Sequence, residues 1–104
     1  VAVKSTGKID RVSSDQIVQV KGAGSFVEIM TTDGRKLLHA DQLSGMESIL
    51  PSTFIRVHRS HLVNTRFVKS LRRSPQGNGT LVLSDESEVP VSRRIMPSVR
   101  KAIA

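Results

Sequence analysis

The densest run of chemistry-bearing side chains is Phe54-Ile-Arg-Val-His-Arg-Ser-His-Leu-Val-Asn64, in which His58-Arg59-Ser60-His61 stands between two apolar stretches. Arg59 can hydrogen-bond bidentately to guanine O6 and N7, and Ser60 can donate to a phosphate. The competing use is structural, because histidine and asparagine side chains can pin a turn by bonding to backbone. That structural role is expected of His58 and Asn64. Arg59, flanked by Arg56 and Arg66, is expected to face DNA.

A second basic pair follows at Ser92-Arg93-Arg94. At a helix start, exposed backbone donors and two guanidinium groups suit a phosphate, and one Arg can reach into a groove. The alternative is a solvated surface pair that answers Asp85, Glu86 and Glu88; the basic loop at Arg59 tips the balance towards DNA. Lys21-Gly-Ala-Gly-Ser25 lacks the third glycine of a dinucleotide fingerprint and the Gly-Lys-Ser/Thr ending of a P-loop. Its glycines let backbone approach a phosphate, with Lys21 and Ser25 as donors, although a plain strand connector is equally consistent. Phe26 is expected in the core before it is expected against a thymine methyl, the other use of an aromatic at a loop edge.

Other chemistries find little support. His58 and His61 have His39 as the only further histidine, no cysteine and no carboxylate nearby in sequence, so no metal site is expected. No Ser, His and Asp stand in a nucleophile elbow, so no catalytic residue is expected. No cofactor is expected either. The net charge of +7 comes from 16 basic and 9 acidic residues. Residues 1–53 hold six of each sign, and residues 54–104 hold ten basic and three acidic, so the whole excess lies in the second half. Such asymmetry suits a polyanionic partner, because clustered Lys and Arg bind phosphates and release counterions. A solvated basic face is the bland alternative. The absence of cysteine agrees with a reducing compartment, and the cytoplasm is expected. No apolar run approaches the roughly 20 residues that span a bilayer. Val1 in place of Met points to an excised fragment, which leaves room upstream for a membrane anchor or sensor.

These residues need elements to position them. All three aromatics are Phe, so the core must rest on Val, Ile and Leu, which favour strands where they alternate with polar residues. One β-rich domain over residues 1–104 is expected. Strands are predicted at Ile17–Val20, Ser25–Thr31, Arg35–Ala40, Phe54–Val57, Arg66–Leu71, Thr80–Leu83 and Glu88–Val91. Asp33-Gly34 predicts a type I′ hairpin turn, which needs positive φ at both central residues. Asp41 is placed to cap a short helix with Leu43, Met46 and Leu50 on one face, weakened by Gly45 and closed by Pro51. Pro90 lacks a backbone donor and predicts an edge strand. Ser92 suits an N-cap, and Pro97 places a turn at residues 93–95 before a helix from about Met96.

Four stretches together resemble the LytTR DNA-binding domains of bacterial response regulators. They are Ile17-Val-Gln-Val20 before a variable loop and Phe26-Val; Thr32-Asp-Gly34 before a strand and the Leu43 to Leu50 helix; Phe54 to Asn64; and Val89-Pro-Val-Ser-Arg-Arg94. The third joined to the fourth is specific, and the resemblance covers nearly the whole chain. It implies a mainly β, elongated arrangement of short antiparallel sheets with one short helix and a C-terminal helical turn or helix. It also implies that loops enter successive major grooves of double-stranded DNA, commonly at imperfect direct repeats, where two copies can pair. By position, Lys21 to Phe26 form the first contacting loop, Arg59 and Ser60 the second, and Arg93 and Arg94 the third, with Gln42 as a phosphate contact. The sequence departs from the family at His61, where an aromatic, usually Tyr, is common, and at Pro97, where many relatives continue a basic helix. Two other classes compete: a basic β-rich module that meets an acidic partner protein, and, last, a hydrolase that uses His58 or His61.

Overall fold

A computed structural model describes residues 1–104. Its centre is a five-stranded antiparallel sheet in the order β5-β4-β3-β7-β6, made of β3 (Ile17–Ala23), β4 (Phe26–Thr31), β5 (Lys36–His39), β6 (Phe54–His58) and β7 (His61–Asn64). Along β4, Val27, Ile29 and Thr31 are buried while Phe26, Glu28 and Met30 between them are not, the period of two that a pleated strand imposes. Elsewhere the sheet is covered on both faces, which is why Ile17-Val18 and Leu62-Val63 are apolar in succession. Ile17 and Leu62 join one core; Val18 and Val63, their immediate neighbours, join another.

The first core closes under the hairpin of β1 (Ala2–Ser5) and β2 (Lys8–Arg11) and under helix α1 (Leu43–Ile49), through Val3, Leu43, Met46 and Leu50. The second closes under a three-stranded antiparallel sheet of β8 (Val68–Arg73), β9 (Gly79–Leu83) and β10 (Glu88–Val91), and under helix α2 (Met96–Ile103). Stacking the two cores along one line gives an elongated body of 46 × 24 × 21 Å. No helix is long and apolar enough to cross a membrane. The mainly β, elongated architecture expected from the sequence is therefore present, with the short helix and the C-terminal one. β10 is an edge strand, paired only with β9, so the missing N–H of Pro90 leaves no ladder bond unmade. Pro97 occupies the first turn of α2, where no intrahelical donor is needed.

Several local expectations change. The Asp33-Gly34 hairpin exists, yet only Gly34 has positive φ, at 84°, which excludes a type I′ turn. The Asp33 carboxylate accepts hydrogen bonds from the Thr31 hydroxyl and from Arg35 Nε, and Gly34 N donates to Thr31 O at 3.1 Å, so a longer loop is closed by side chains. The N-cap of α1 is Gln42, without a side-chain cap; the Asp41 carboxylate accepts from Gln42 N at 2.7 Å and fills the space where a Cβ on Gly45 would sit. Likewise Ser92 precedes the 3-10 turn Arg93–Ile95 without a side-chain cap. The strand expected from Arg66 starts at Val68, because Asn64 Oδ1 accepts from Arg66 N and tightens residues 65–67 into a 3-10 turn. The β1–β2 hairpin and β7 were not expected as elements at all.

Candidate nucleic-acid interface

Three turns come together at neighbouring strand ends. The first joins β3 to β4, where Ala23 faces Phe26 and Gly24, at φ 71°, takes the first central position of a two-residue turn. That position is the one a type II′ turn reserves for glycine. The turn carries Lys21, Ser25 and Phe26 exposed. Phe26 is thus not a core residue: it is 40% exposed, because its pleat position at the end of β4 turns it away from the sheet's covered face. The second turn joins β6 to β7, with Arg59 and Ser60 between His58 and His61 and a bulge between Arg56 and His58. The two turns touch, since Gly22 N donates to Ser60 O at 2.8 Å.

The third segment, Ser92 to Arg94, leaves β10 beside β6, where Ser92 N donates to Val57 O at 3.0 Å. It forms a cleft of about 450 Å³ with the second turn, lined by Arg56, His58, Arg59, Ser92, Arg94 and Ile95. The structure therefore brings Arg59 and Arg94 into one cleft. Arg93 is turned away from it, with its aliphatic stem near Gly77 of the β8–β9 hairpin. Gln42 is exposed at the start of α1 and is not among the cleft residues.

Charge pairing sorts the cations. Six of the 16 Lys and Arg side chains pair with carboxylates: Lys8, Arg35, Arg56, Arg66, Lys69 and Arg72. Lys21, Arg59, Arg93 and Arg94 pair with none. Asp85, Glu86 and Glu88 do not answer Arg93 and Arg94, since Glu86 holds Lys69, Glu88 holds Arg72 and Asp85 accepts from Ser87. Arg66, expected beside Arg59, instead meets Asp15 at 3.1 Å on the far side of the 3-10 turn.

Sequence marks Arg56 only as a flanking charge and does not reveal its part here. Its Nε donates to His58 O at 3.0 Å, one Nη to Arg59 O at 2.5 Å and the other to Glu47 at 3.0 Å. One guanidinium thus braces the second turn from inside and ties it to α1. Nothing in sequence signals this, because Glu47 lies on another element. His58 and Asn64 behave as expected: His58 Nδ1 accepts from Ser60 N at 3.2 Å, and Asn64 Nδ2 donates to Ile17 O at 3.0 Å.

His61 packs edge-to-face on His58, with centroids 5.4 Å apart, and so fills the place of an aromatic ring. Its Nδ1 is buried without a partner. Burial, aided by the charges of His58 and Lys21, pulls its pKa down to about 4, so the ring is neutral near pH 7. His39 is also structural, its Nδ1 accepting from Lys4 N at 2.9 Å, and no three His, Asp or Glu side chains converge as metal ligands would.

Comparison with known proteins places the chain in a family. The chain is 32% identical over 93 residues to sensory transduction protein LytT of Bacillus subtilis, covering 88% of this chain and 38% of that protein. It is 30% identical over 96 residues to transcriptional regulatory protein BtsR of Salmonella typhi, covering 92% and 39%. A heme-containing CO-sensing transcriptional regulator of Paraburkholderia xenovorans is 36% identical over 80 residues, covering 74% and 29%. The chain spans under two-fifths of the length of these relatives. The fold matches the solved LytTr DNA-binding domain of a response regulator from Bacillus cereus with a TM-score of 0.86 over 100% of this chain and 95% of that one, at 24% identity. The family model described as the LytTr DNA-binding domain matches residues 7–104, and the chain belongs to that family.

Proposed function

We propose that the chain binds double-stranded DNA sequence-specifically through three loops set into the major groove, as one domain of a longer cytoplasmic transcription regulator. The observation that carries this is the convergence of Arg59 and Arg94 on one cleft, exposed and unclaimed by any carboxylate. Arg59 and Arg94 read base edges, each suited to guanine. Lys21, Ser25, Ser60 and Arg93 set the register on phosphates, Phe26 offers its exposed ring to a thymine methyl, and Gln42 supplies a phosphate contact from the start of α1. Binding at imperfect direct repeats lets two copies pair on DNA. Catalysis has no part in this scheme.

Selecting a duplex from a random library with the isolated chain provides the probe. Arg59→Ala and Arg94→Ala are each expected to lose about 1–3 kcal/mol on that duplex and to relax preference at one base position, as loss of a base-reading Arg does. Unchanged affinity for both specific and competitor duplexes in a mobility shift would defeat the proposal.

A further inference from the structure

We infer that the tip of the β8–β9 hairpin is a fourth DNA-contacting segment, in which Arg73 holds a backbone phosphate flanking the third loop. The inference rests on the DNA-binding function proposed above and adds a segment that the sequence did not single out.

Strand register puts the hairpin tip where such a contact is needed. Arg73 faces Gly79 across β8 and β9, and Gly79 faces Val91 across β9 and β10. Val91 leads directly into Ser92-Arg93-Arg94, so the hairpin tip and the third loop leave the sheet at the same end. They also touch. Gly77, at φ 93°, lies so close to Arg93 that an added Cβ would stand 2.9 Å from Arg93 Cδ and 3.1 Å from Cγ. Arg93 therefore runs over the hairpin tip, which has the close backbone approach and left-handed turn that only glycine supplies without strain.

The tip's chemistry suits an anion. Arg72, Arg73, Ser74, Asn78, Gly79 and Thr80 line a hollow of about 270 Å³ with no apolar side chain. Glu88 claims Arg72 at 2.8 Å, whereas Arg73 is exposed and pairs with no carboxylate. No acidic residue occurs between Val68 and Leu83. Ser74 and Asn78 are fixed beside Arg73 by a hydrogen bond between their side chains and by Ser74 N donating to Asn78 O at 2.9 Å. A free cation beside neutral polar groups, with Glu88 already neutralised by Arg72, matches a phosphate oxyanion and offers little to a metal ion or an apolar ligand. Arg93, reaching across the same tip, makes the strand backbone next to the third loop the phosphate in range.

The test compares the wild-type chain with Arg73→Gln and Arg73→Lys on two probes: the duplex selected by the wild type and a mixed-sequence duplex of equal length. Arg73→Gln is expected to weaken both by the same factor, roughly three- to tenfold at 0.1 M salt, and to flatten the slope of log K against log salt by about one unit. Arg73→Lys should restore the slope, and hydroxyl-radical protection of one flanking backbone stretch should disappear only with Arg73→Gln. A wild-type slope and full protection in Arg73→Gln would overturn the inference. Should the wild type show no preference among duplexes, base reading by Arg59 and Arg94 fails instead, and the slope on the mixed duplex still decides the role of Arg73.

Discussion

The guanidinium of Arg56 satisfies two main-chain carbonyls and one carboxylate while contributing little exposed charge of its own. Charged donors on such acceptors are worth more than neutral ones, although the partial exposure of the Glu47 pair reduces its share. Arg56→Ala is expected to cost about 1–3 kcal/mol in urea unfolding and to weaken specific DNA binding without shifting base preference. A shifted preference would make Arg56 a reader itself. His61 makes a second residue-level prediction. Its imidazole titrates near 4 in the fold and near 6.5 when free. Between those values the unfolded chain binds the extra proton, so this contribution to stability is complete above pH 6.5 and declines as pH falls towards 4. His61→Phe keeps a ring against His58 and removes the titration. Melting temperature should therefore fall less between pH 7 and pH 5 in the variant than in the wild type, and equal falls would show that His61 does not govern the acid limb.

At the scale of elements, helix α1 has seven residues and no side-chain N-cap, so it has little helical stability of its own and depends on packing. Met46, completely buried against the central sheet, supplies much of that packing. Met46→Ala should destabilise the protein by about 2–5 kcal/mol in chemical denaturation, and a cost below about 1 kcal/mol would mean that α1 is held by something else. The strands around the three loops were legible because their apolar positions alternate or run together between glycine and proline punctuation. β7 escaped notice because four residues, His61 to Asn64, follow a two-residue turn without glycine, and Leu62-Val63 shows no alternation when both faces of a sheet are buried. At the N-terminus, Lys8-Ile-Asp-Arg11 exposes Ile9 and buries almost nothing, so hydrophobic pattern had nothing to mark. The capping box from Ser13 to Gln16 is legible from its Ser and Gln three residues apart. Arg59 and Arg94 could be nominated from residue type and loop context. Their shared cleft could not, since it depends on β6 and β10 lying side by side.

For the whole molecule, the central sheet belongs to both cores, which alternate from one residue to the next in Ile17-Val18 and Leu62-Val63. Neither core can open without exposing the back of a strand that the other needs. Ile29→Ala in the first core and Leu81→Ala in the second, both completely buried, should each cost about 2–5 kcal/mol. Each is also expected to leave one unfolding transition, with circular dichroism and hydrogen exchange in both cores moving together. Two separable transitions in either variant would show that the cores fold independently. The brace under the second turn bears on how such a chain can change its target. Because Arg56 grips the main-chain oxygens of His58 and Arg59, the curvature of that turn is indifferent to which side chain occupies position 59. If Arg59 reads a base as proposed, a new residue there would meet DNA on an unaltered platform, and binding preference could drift by single substitutions without an intermediate that has lost its fold.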